Sequence, residues 1–262
     1  MTSLPIYQID AFADHVFAGN PAAICPLESW LPDDVMQQAA SENNLSETAF
    51  FVRTGDAAYE LRWFTPAAEV DLCGHATLAT AHLIFDKLES SLGAIAFQTK
   101  SGLLTVVRKG DLIEMDFPSR PATESPLPEG FGEAHGCEPV AFLRASKNLA
   151  VFDAEADVSA FQPDLAYIKS LEGDGLIVTA PGDHCDFVSR YFAPHQGIDE
   201  DPVTGSAHCT SVPYWSDRLG KLKVQARQIS QRGGDLYCEL SGDRVKISGR
   251  AILYMEGRVY LP

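Results

Sequence analysis

The chain has 262 residues, 45% of them hydrophobic, which is enough for one large domain or for two domains with buried cores. Its 36 acidic and 20 basic side chains give a formal net charge of −16, which argues against nucleic acid and anionic membranes as partners. The sequence also lacks a run of the ~18 apolar residues that a membrane-spanning helix needs, and it opens without the basic and apolar segments of a signal peptide.

The six cysteines are scattered along the chain and form no Cys-x-x-Cys pair. In a chain of this size, that pattern is typical of reduced thiols in the cytoplasm, and it does not favour a disulfide scaffold or a zinc site. The spacing of the histidines does not resemble a metal-binding set either. We therefore expect a cytoplasmic protein that binds no metal.

The first half of the chain alternates strand and helix signals. PIYQIDAF predicts a strand, because apolar and polar residues alternate in it. LPDDVMQQAASEN predicts a helix with Asp33 and Asp34 in its first turn, where the helix dipole favours acidic side chains. AFFVRT and YELRWFT predict two further strands. Residues 74–88 predict a helix that is apolar over most of its surface, so we expect other elements to enclose it.

Landmarks of the first half recur in the second half. TGDAAYELRWFTP resembles PGDHCDFVSRYFAP, and KSGLLTVVRKGDLIEM resembles QRGGDLYCELSGDRVKI. The equivalent glycines Gly55 and Gly182 are 127 residues apart, and Gly74 and Gly205 are 131 apart. A steady offset of about half the chain indicates a duplicated domain and not a short-period repeat.

We therefore predict an α+β protein of two pseudo-symmetric domains, each a mostly antiparallel, barrel-like sheet around a central apolar helix. The predicted halves are residues 1–120 and 121–262, and the last strand is allowed to return to the first. Residues 117–133 are rich in proline, glycine and acidic residues and are the predicted linker. Because clefts between domains often bind small molecules, we expect the functional site between the halves.

Each half has a helix that begins with glycine and a polar residue, Gly74 with His75 and Gly205 with Ser206. The first N–H groups of a helix lack helical partners and carry partial positive charge. They can bind a carboxylate, or the enolate-like oxygen that forms when a proton leaves the adjacent carbon. The competing interpretation is that the glycines only cap helices. The symmetric pair favours binding, and the unlike polar residues indicate an asymmetric substrate.

Glu47 stands between Ser46 and Thr48, directly before an apolar strand. A glutamate at such a position ordinarily points into solvent or caps a neighbouring helix. Its place at the edge of a buried strand raises the alternative of a chemical role.

Four stretches, FAGNPAAIC, NLSETAFF, RWFTPAAEVDLCGHATLATA and DEDPVTGSAH, occur in this order. Together they resemble the phenazine-biosynthesis PhzF-like isomerase family over essentially the full length of the chain. The resemblance implies the diaminopimelate epimerase-like fold, in which two similar halves each wrap a sheet around a central helix. It also implies a cofactor-independent isomerase that moves a proton on a small carboxylic acid, often as a homodimer.

The resemblance assigns the general acid/base of the reaction to Glu47, which we then expect to be buried and to be oriented by the hydroxyls of Ser46 and Thr48. It implies that His75 and Asp201 are supporting catalytic residues. The substrate-binding residues that it implies are Ser46, Gly74, Gly205 and Ser206.

In diaminopimelate epimerase and its relatives, a cysteine precedes the glycine at both helix starts, and the two thiols act as acid and base. Here Cys73 holds the first of these positions and Thr204 the second. Proton transfer through Glu47 is therefore the leading hypothesis. An amino-acid racemase or epimerase that uses Cys73 with Glu47 is one alternative, and a binding protein without turnover is the other. The motifs do not name the substrate, and the part played by Cys73 and by His208 stays open.

Overall fold

The computed structural model describes residues 2–262. These residues form two compact units: residues 2–116 with Ser248–Pro262, and Phe117–Ile247. The sequence predicts a division between residues 120 and 121, whereas the contacts divide the chain between 116 and 117 and assign its last residues to the first unit. None of the helices in this part of the chain combines the length and the apolar character needed to cross a membrane.

Strands dominate the first unit. In chain order they are β1 Thr2–Ala11, β2 Asn20–Leu27, β3 Glu47–Gly55, β4 Ala58–Phe64, β5 Glu69–Val70, β6 Ala94–Thr99, β7 Gly102–Lys109 and β8 Leu112–Pro118, which ends at the unit boundary. The helices are α1 Asp33–Asn43 and α2 Gly74–Leu83, and α2 continues into a π-helical segment, Ile84–Leu88. The strands and helices predicted for the first half are therefore present.

The second unit has more helical segments. Its strands are β9 Thr123–Glu124, β10 Ala141–Arg144, β11 Asn148–Val151, β12 Leu176–Pro181, β13 Phe187–Ala193, β14 Ile198–Asp201, β15 Lys223–Gln228, β16 Gly234–Ser241 and β17 Arg244–Gly249. Its helices are α3 Phe131–His135, α4 Glu155–Ala160, α5 Leu165–Ser170 and α6 Gly205–Leu219, with a 3-10 turn at Pro194–Gln196. The last strand of the chain, β18 Ala251–Leu261, pairs antiparallel with β1 of the first unit.

The two units share one order of strand pairing. In the first unit, β1–β2 is antiparallel, β2–β3 parallel, β3–β4 antiparallel, β4–β6 parallel and β6–β7 antiparallel. In the second unit, β10–β11, β11–β12, β12–β13, β13–β15 and β15–β16 repeat this alternation. The equivalent helices α2 and α6 follow β5 and β14. The duplication predicted from the sequence is therefore confirmed at the level of topology.

Helix α2 is the core helix of the first unit. All of its residues except His82 are buried, and it packs against β1, β2, β3 and β18. A helix with apolar residues around its whole circumference can be stable only when it is enclosed in this way, as predicted. A second cluster joins α1 to the sheet through Met36, which packs with Phe50 and Phe64.

The loop between β1 and β2 has an unusual backbone. Phe12 (φ 60°), Phe17 (φ 72°) and Gly19 (φ 65°) all adopt the left-handed conformation, which costs a residue with a side chain about 1–2 kcal/mol. At Gly19 an added Cβ would lie 2.2 Å from the carbonyl oxygen of Ala11. Glycine is therefore required at this position, directly before Asn20 at the start of β2.

We expect Gly19→Ala to destabilise the protein more than Gly110→Ala does. Both glycines have φ +65°, but a Cβ at Gly110 has nothing within 4 Å. Both changes therefore carry the left-handed cost of about 1–2 kcal/mol, and Gly19→Ala adds an overpacking cost of about 1–3 kcal/mol. Urea unfolding of the two variants measures the difference. Equal unfolding midpoints would show that the loop yields to the extra methyl group.

Candidate active site

A buried carboxylate meets a buried imidazole in the first unit. Glu47 is the first residue of β3, and His75 is the second residue of α2. The Oε2 atom of Glu47 lies 3.0 Å from Nε2 of His75. Since 9% of Glu47 and 4% of His75 is exposed, the solvated strand-end glutamate is excluded and the carboxylate faces the interior.

The contact between these two atoms is short but not aligned. The ring N–H does not point at the carboxylate oxygen, and neither atom has another hydrogen-bond partner among residues 2–262. A buried polar atom without a partner costs about 1–3 kcal/mol. Catalytic hydrogen bonds are often poorly aligned in free enzymes and improve when substrate binds. The geometry therefore suits a pair that completes its bonding with a ligand.

The surroundings of His75 favour its charged form. Burial by itself lowers the pKa of the imidazole, and the Glu47 carboxylate opposes burial and holds the pKa of His75 above its ordinary value. The Sγ atom of Cys73 lies 3.5 Å from Nδ1 of His75, on the other nitrogen of the ring. The imidazole thus stands between a carboxylate and a thiol.

Cys73 is a protonated thiol at neutral pH. Burial, followed by the neighbouring Glu47 carboxylate, raises the pKa of Cys73 to about 11. The N-terminus of a helix often lowers the pKa of a thiol, but here burial and Glu47 dominate. The negative charge beside His75 therefore resides on Glu47.

Asn20 completes the surroundings of His75. Its side chain is fully buried, and its amide nitrogen lies 3.2 Å from Nδ1 of His75, to which it can donate only when Nδ1 carries no proton. Because β2 and β3 are parallel, with Ala22 opposite Glu47, both strands begin at the same end of the sheet. Asn20 and Glu47 therefore reach the same imidazole from neighbouring strands.

Glu47, Cys73 and His75 present donor atoms that all lie within 4.8 Å of one another. Oxygen, sulfur and nitrogen donors of this kind can bind Zn²⁺. Two features oppose a resident cation. The positive end of α2 lies at His75, and Cys73, whose pKa burial raises, would have to release its proton to the solvent on binding the ion. The cluster is better suited to holding and moving a proton.

In the second unit, Asp201 belongs to a different network. Its Oδ2 atom accepts a hydrogen bond of 2.5 Å from the hydroxyl of Thr204. The buried amide of Gln228 donates to the Asp201 carbonyl at 2.6 Å and accepts from the Thr204 N–H at 2.8 Å. Thr204 occupies the position equivalent to Cys73, so its hydroxyl is engaged where the first unit has a thiol.

The two helix starts are alike in backbone and unlike in side chains. The residues before α2 and α6, Cys73 and Thr204, are both extended, and neither caps its helix with a side-chain hydrogen bond. Gly74 and Gly205 are buried, whereas the predicted polar residues Ser46 and Ser206 are partly exposed. In each unit the first-turn N–H groups therefore depend on backbone, water or ligand partners.

The Thr48 side chain does not take the expected position beside the Glu47 carboxylate. The Thr48 hydroxyl accepts from the Asn43 amide at 3.1 Å, because successive strand residues point to opposite faces and Thr48 is turned away from Glu47.

His208 is fully buried, and its Nδ1 atom lies 2.8 Å from the carbonyl oxygen of Thr204, to which it donates. Burial lowers the pKa of His208 to about 4, so it is neutral near pH 7.

The chain was compared with known proteins. A family model described as phenazine biosynthesis-like protein matches residues 9–257. An uncharacterized isomerase of Pseudomonas aeruginosa is 51% identical over 259 residues, which cover 98% of this chain and 99% of that protein. The crystal structure of a PhzF-family phenazine biosynthesis protein from Enterococcus faecalis has a TM-score of 0.96 at 46% identity and covers 99% of this chain and 100% of that one. A predicted epimerase from Pseudomonas aeruginosa, 21% identical, has a TM-score of 0.73 over 98% of this chain and 99% of that one.

The fold of the two repeated units is the diaminopimelate epimerase-like fold, as the sequence predicts. The likeness to the predicted epimerase concerns the fold alone. The chain belongs to the phenazine biosynthesis-like protein family, with a match that spans nearly its whole length. The resemblance read from its motifs is therefore confirmed.

The sequence analysis assigned no role to Asn20 and Gln228, whose side-chain amides contact His75 in the first unit and Asp201 and Thr204 in the second. Asn20 lies within FAGNPAAIC, one of the stretches that carried the resemblance. Gln228 follows Val224 and Ala226 at the buried positions of the alternating strand β15. An amide at a position that alternation reserves for apolar side chains indicates a polar network, and this signal was available in the sequence.

We expect His208 to make the protein sensitive to acid. The pKa of His208 is about 4 in the folded protein and about 6.5 when unfolded. Between these values the unfolded state binds more protons, so stability is complete above about pH 6.5 and is lost as the pH falls through about 4, by about 3 kcal/mol at most. Urea unfolding at pH 7 and pH 4.5 should show a smaller difference for His208→Gln than for the parent protein.

The matched control for this prediction is His15→Gln, because 74% of the His15 side chain is exposed. This variant should keep the acid sensitivity of the parent protein. If His208→Gln loses as much stability between the two pH values as the parent protein does, the buried imidazole is not the acid-sensitive group.

Proposed function

We propose that the protein is a cofactor-independent isomerase that moves a proton between carbons of a small carboxylic acid, with Glu47 as general acid and base. The observation that carries the proposal is the buried contact between Glu47 and His75 at the start of α2. The family membership supports it, because a similar protein of Pseudomonas aeruginosa is named an isomerase.

Charge conservation explains how the pair can catalyse this reaction. Before reaction, Glu47 is negative and His75 is positive, so the pair is neutral. When the carboxylate takes a proton from carbon, the negative charge moves to the substrate as an enolate. The imidazolium stays next to this new charge, and an oriented positive group in a buried site stabilises it strongly. Glu47 then returns its proton to a second carbon on the same face.

The remaining residues are assigned supporting roles by the family resemblance. The starts of α2 at Gly74 and of α6 at Gly205 each offer N–H groups and a positive helix end to a substrate oxygen. Ser46 and Ser206 are proposed to donate to polar groups of the substrate. Asp201 is proposed as a supporting catalytic residue, and its hydrogen bond from Thr204 fixes the direction of its carboxylate.

A racemase that uses Cys73 is the second candidate, because the thiol lies beside His75 in the same buried cluster. Inversion at carbon needs a second acid on the opposite face of the substrate. The equivalent residue, Thr204, has a hydroxyl that is already engaged by Asp201. The protonated state of Cys73 also opposes its use as a base. Both observations favour isomerisation.

We further propose that the protein is a cytoplasmic homodimer, as the resemblance implies. The six cysteines are free thiols, which suits a reducing compartment. Phe17 and Tyr254 form an exposed edge-to-face pair with ring centroids 5.6 Å apart, and Met255, the residue after Tyr254, is 42% exposed. Exposed apolar patches of this kind often mark protein interfaces.

We expect Glu47→Gln to abolish turnover while the protein stays folded. Glutamine keeps the shape of the side chain but cannot accept a proton from carbon, so the rate should fall by at least about 10³-fold, within the range of general-base contributions. The measurement is incorporation of deuterium from D₂O into a panel of small unsaturated acids and amino acids, followed by NMR. Migration of a C–H bond indicates an isomerase, and inversion at carbon indicates a racemase.

The matched control is Glu60→Gln on the neighbouring strand. The Glu60 carboxylate accepts a hydrogen bond of 2.6 Å from the Trp30 indole, so this variant should lose stability and keep its turnover number. Substantial activity in Glu47→Gln would sink the assignment of the base. Binding by the parent protein without deuterium exchange and without migration of a C–H bond across the panel would instead favour a non-catalytic binding protein.

We expect Cys73→Ser to retain most of the activity. The thiol is protonated at neutral pH and buried, so iodoacetamide should label it slowly and inhibit weakly at pH 7.5. Mass spectrometry of the alkylated protein separates this site from the partly exposed Cys137 and Cys185, which should react first. If Cys73→Ser is as inactive as Glu47→Gln, the thiol takes part in the reaction and the racemase replaces the isomerase.

A further inference from the structure

The residues before and after Asn20 restrict its backbone. Gly19 precedes it in the left-handed conformation, and Pro21 follows it, which restricts Asn20 to extended backbone. The loop before it is anchored by Asp10, whose Oδ2 atom accepts the Phe17 N–H at 3.0 Å. The Asn20 amide therefore reaches Nδ1 of His75 from a backbone that has little freedom to move.

The partner of Nδ1 decides where the imidazole proton resides. A neutral imidazole carries one N–H, and a donor at one nitrogen places that N–H on the other. When the Asn20 amide, whose nitrogen lies 3.2 Å from Nδ1, donates to that atom, the proton of neutral His75 lies on Nε2, the nitrogen 3.0 Å from Oε2 of Glu47. The opposite tautomer would leave a nitrogen lone pair, and not an N–H, 3.0 Å from the carboxylate oxygen, and the two would repel each other.

An asparagine amide also fits the charged form of the ring. When His75 carries both protons, its Nδ1–H needs an acceptor, and rotation of the amide presents the carbonyl oxygen instead of the NH₂ group. The titratable groups that face the ring in the described chain are Glu47 from β3 and Cys73 at the start of α2. Asn20 is the neutral third partner, which can serve both protonation states without adding a charge.

We propose that Asn20 is a positioning residue that fixes the proton of neutral His75 on the nitrogen facing Glu47 and, after rotation of its amide, accepts from Nδ1 when the ring is charged. This proposal rests on the proposed role of Glu47 as the base. It concerns this chain's own imidazole, so it can be tested without knowledge of the substrate.

The second unit offers a matched control in Asn148. Asn148 is the first residue of β11, as Asn20 is of β2, and it is equally buried, at 1% exposed. Its amide donates to the backbone carbonyls of Glu172 at 2.8 Å and of Gly175 at 3.4 Å. The same residue type at the equivalent position thus contacts backbone instead of an imidazole.

The experiment compares Asn20→Asp, Asn20→Ala and Asn148→Asp. Each protein is labelled with ¹⁵N-histidine, His75→Gln identifies the His75 signals, and the two ring nitrogens are followed by NMR as the pH is raised. In Asn20→Asp, a carboxylate beside Nδ1 favours the doubly protonated ring, so the titration of His75 should move up by about 1 pH unit or more. In Asn20→Ala, neutral His75 should show both tautomers.

Activity gives the second readout once a substrate is found. Asn20→Ala should lower kcat by about 10–100-fold, the usual effect of losing a residue that orients a catalytic group, with little change in KM. Asn148→Asp should lower the urea midpoint and leave both the His75 titration and the pH profile of kcat/KM unchanged.

An unmoved His75 titration in folded Asn20→Asp overturns the proposal. If that variant does not fold, Asn20→Ala decides, and a single Nε2–H tautomer in it likewise overturns the proposal. An active Glu47→Gln would refute the proposed function, but the NMR result would still show whether Asn20 sets the proton of His75.

Discussion

The contact between Glu47 and His75 is the constraint on which the site depends. Taking two ionisable groups out of water costs several kcal/mol each, and their attraction offsets this only when the geometry is held by the surrounding fold. Here the fold holds it through the first residues of three elements. Asn20 opens β2, Glu47 opens β3 and His75 lies in the first turn of α2. Because β2 and β3 pair in parallel, Asn20 and Glu47 lie at the same end of the sheet. The enclosed helix α2 places His75 beside them.

The second unit keeps this scaffold but not its chemistry. Its strands pair in the same alternation, and its helix α6 also starts without a side-chain cap. In place of a carboxylate–imidazole pair, it has Asp201, Thr204 and Gln228 in a closed hydrogen-bond network. A duplicated fold can hold its backbone constant because packing depends on volume and pattern. Its polar residues are then free to diverge, so that one half holds a carboxylate–imidazole pair and the other an amide–hydroxyl network.

The sequence predicted those features that depend on periodicity and on motifs. The steady offset between Gly74 and Gly205 predicted the repeat, and the apolar circumference of residues 74–88 predicted an enclosed helix. The side-chain contacts were not predictable in this way. Asn20 and His75 are 55 positions apart, and an asparagine before proline ordinarily indicates a turn. The protonated state of Cys73 depends on burial and on the nearby Glu47. Its position at the start of a helix, which is all that the sequence shows, predicts the opposite effect on its pKa.

The net charge of −16 raises the question of how the protein would bind an anionic substrate. At physiological ionic strength, charges separated by more than about 8 Å of solvent are largely screened, so the overall charge acts weakly on a bound ligand. Under the proposed function, the His75 imidazolium and the first-turn N–H groups of α2 would act on the substrate at contact distance and in a buried environment, where screening is weak. Local geometry therefore outweighs composition. An acidic protein can bind and stabilise an enolate when its positive groups lie at the start of a buried helix.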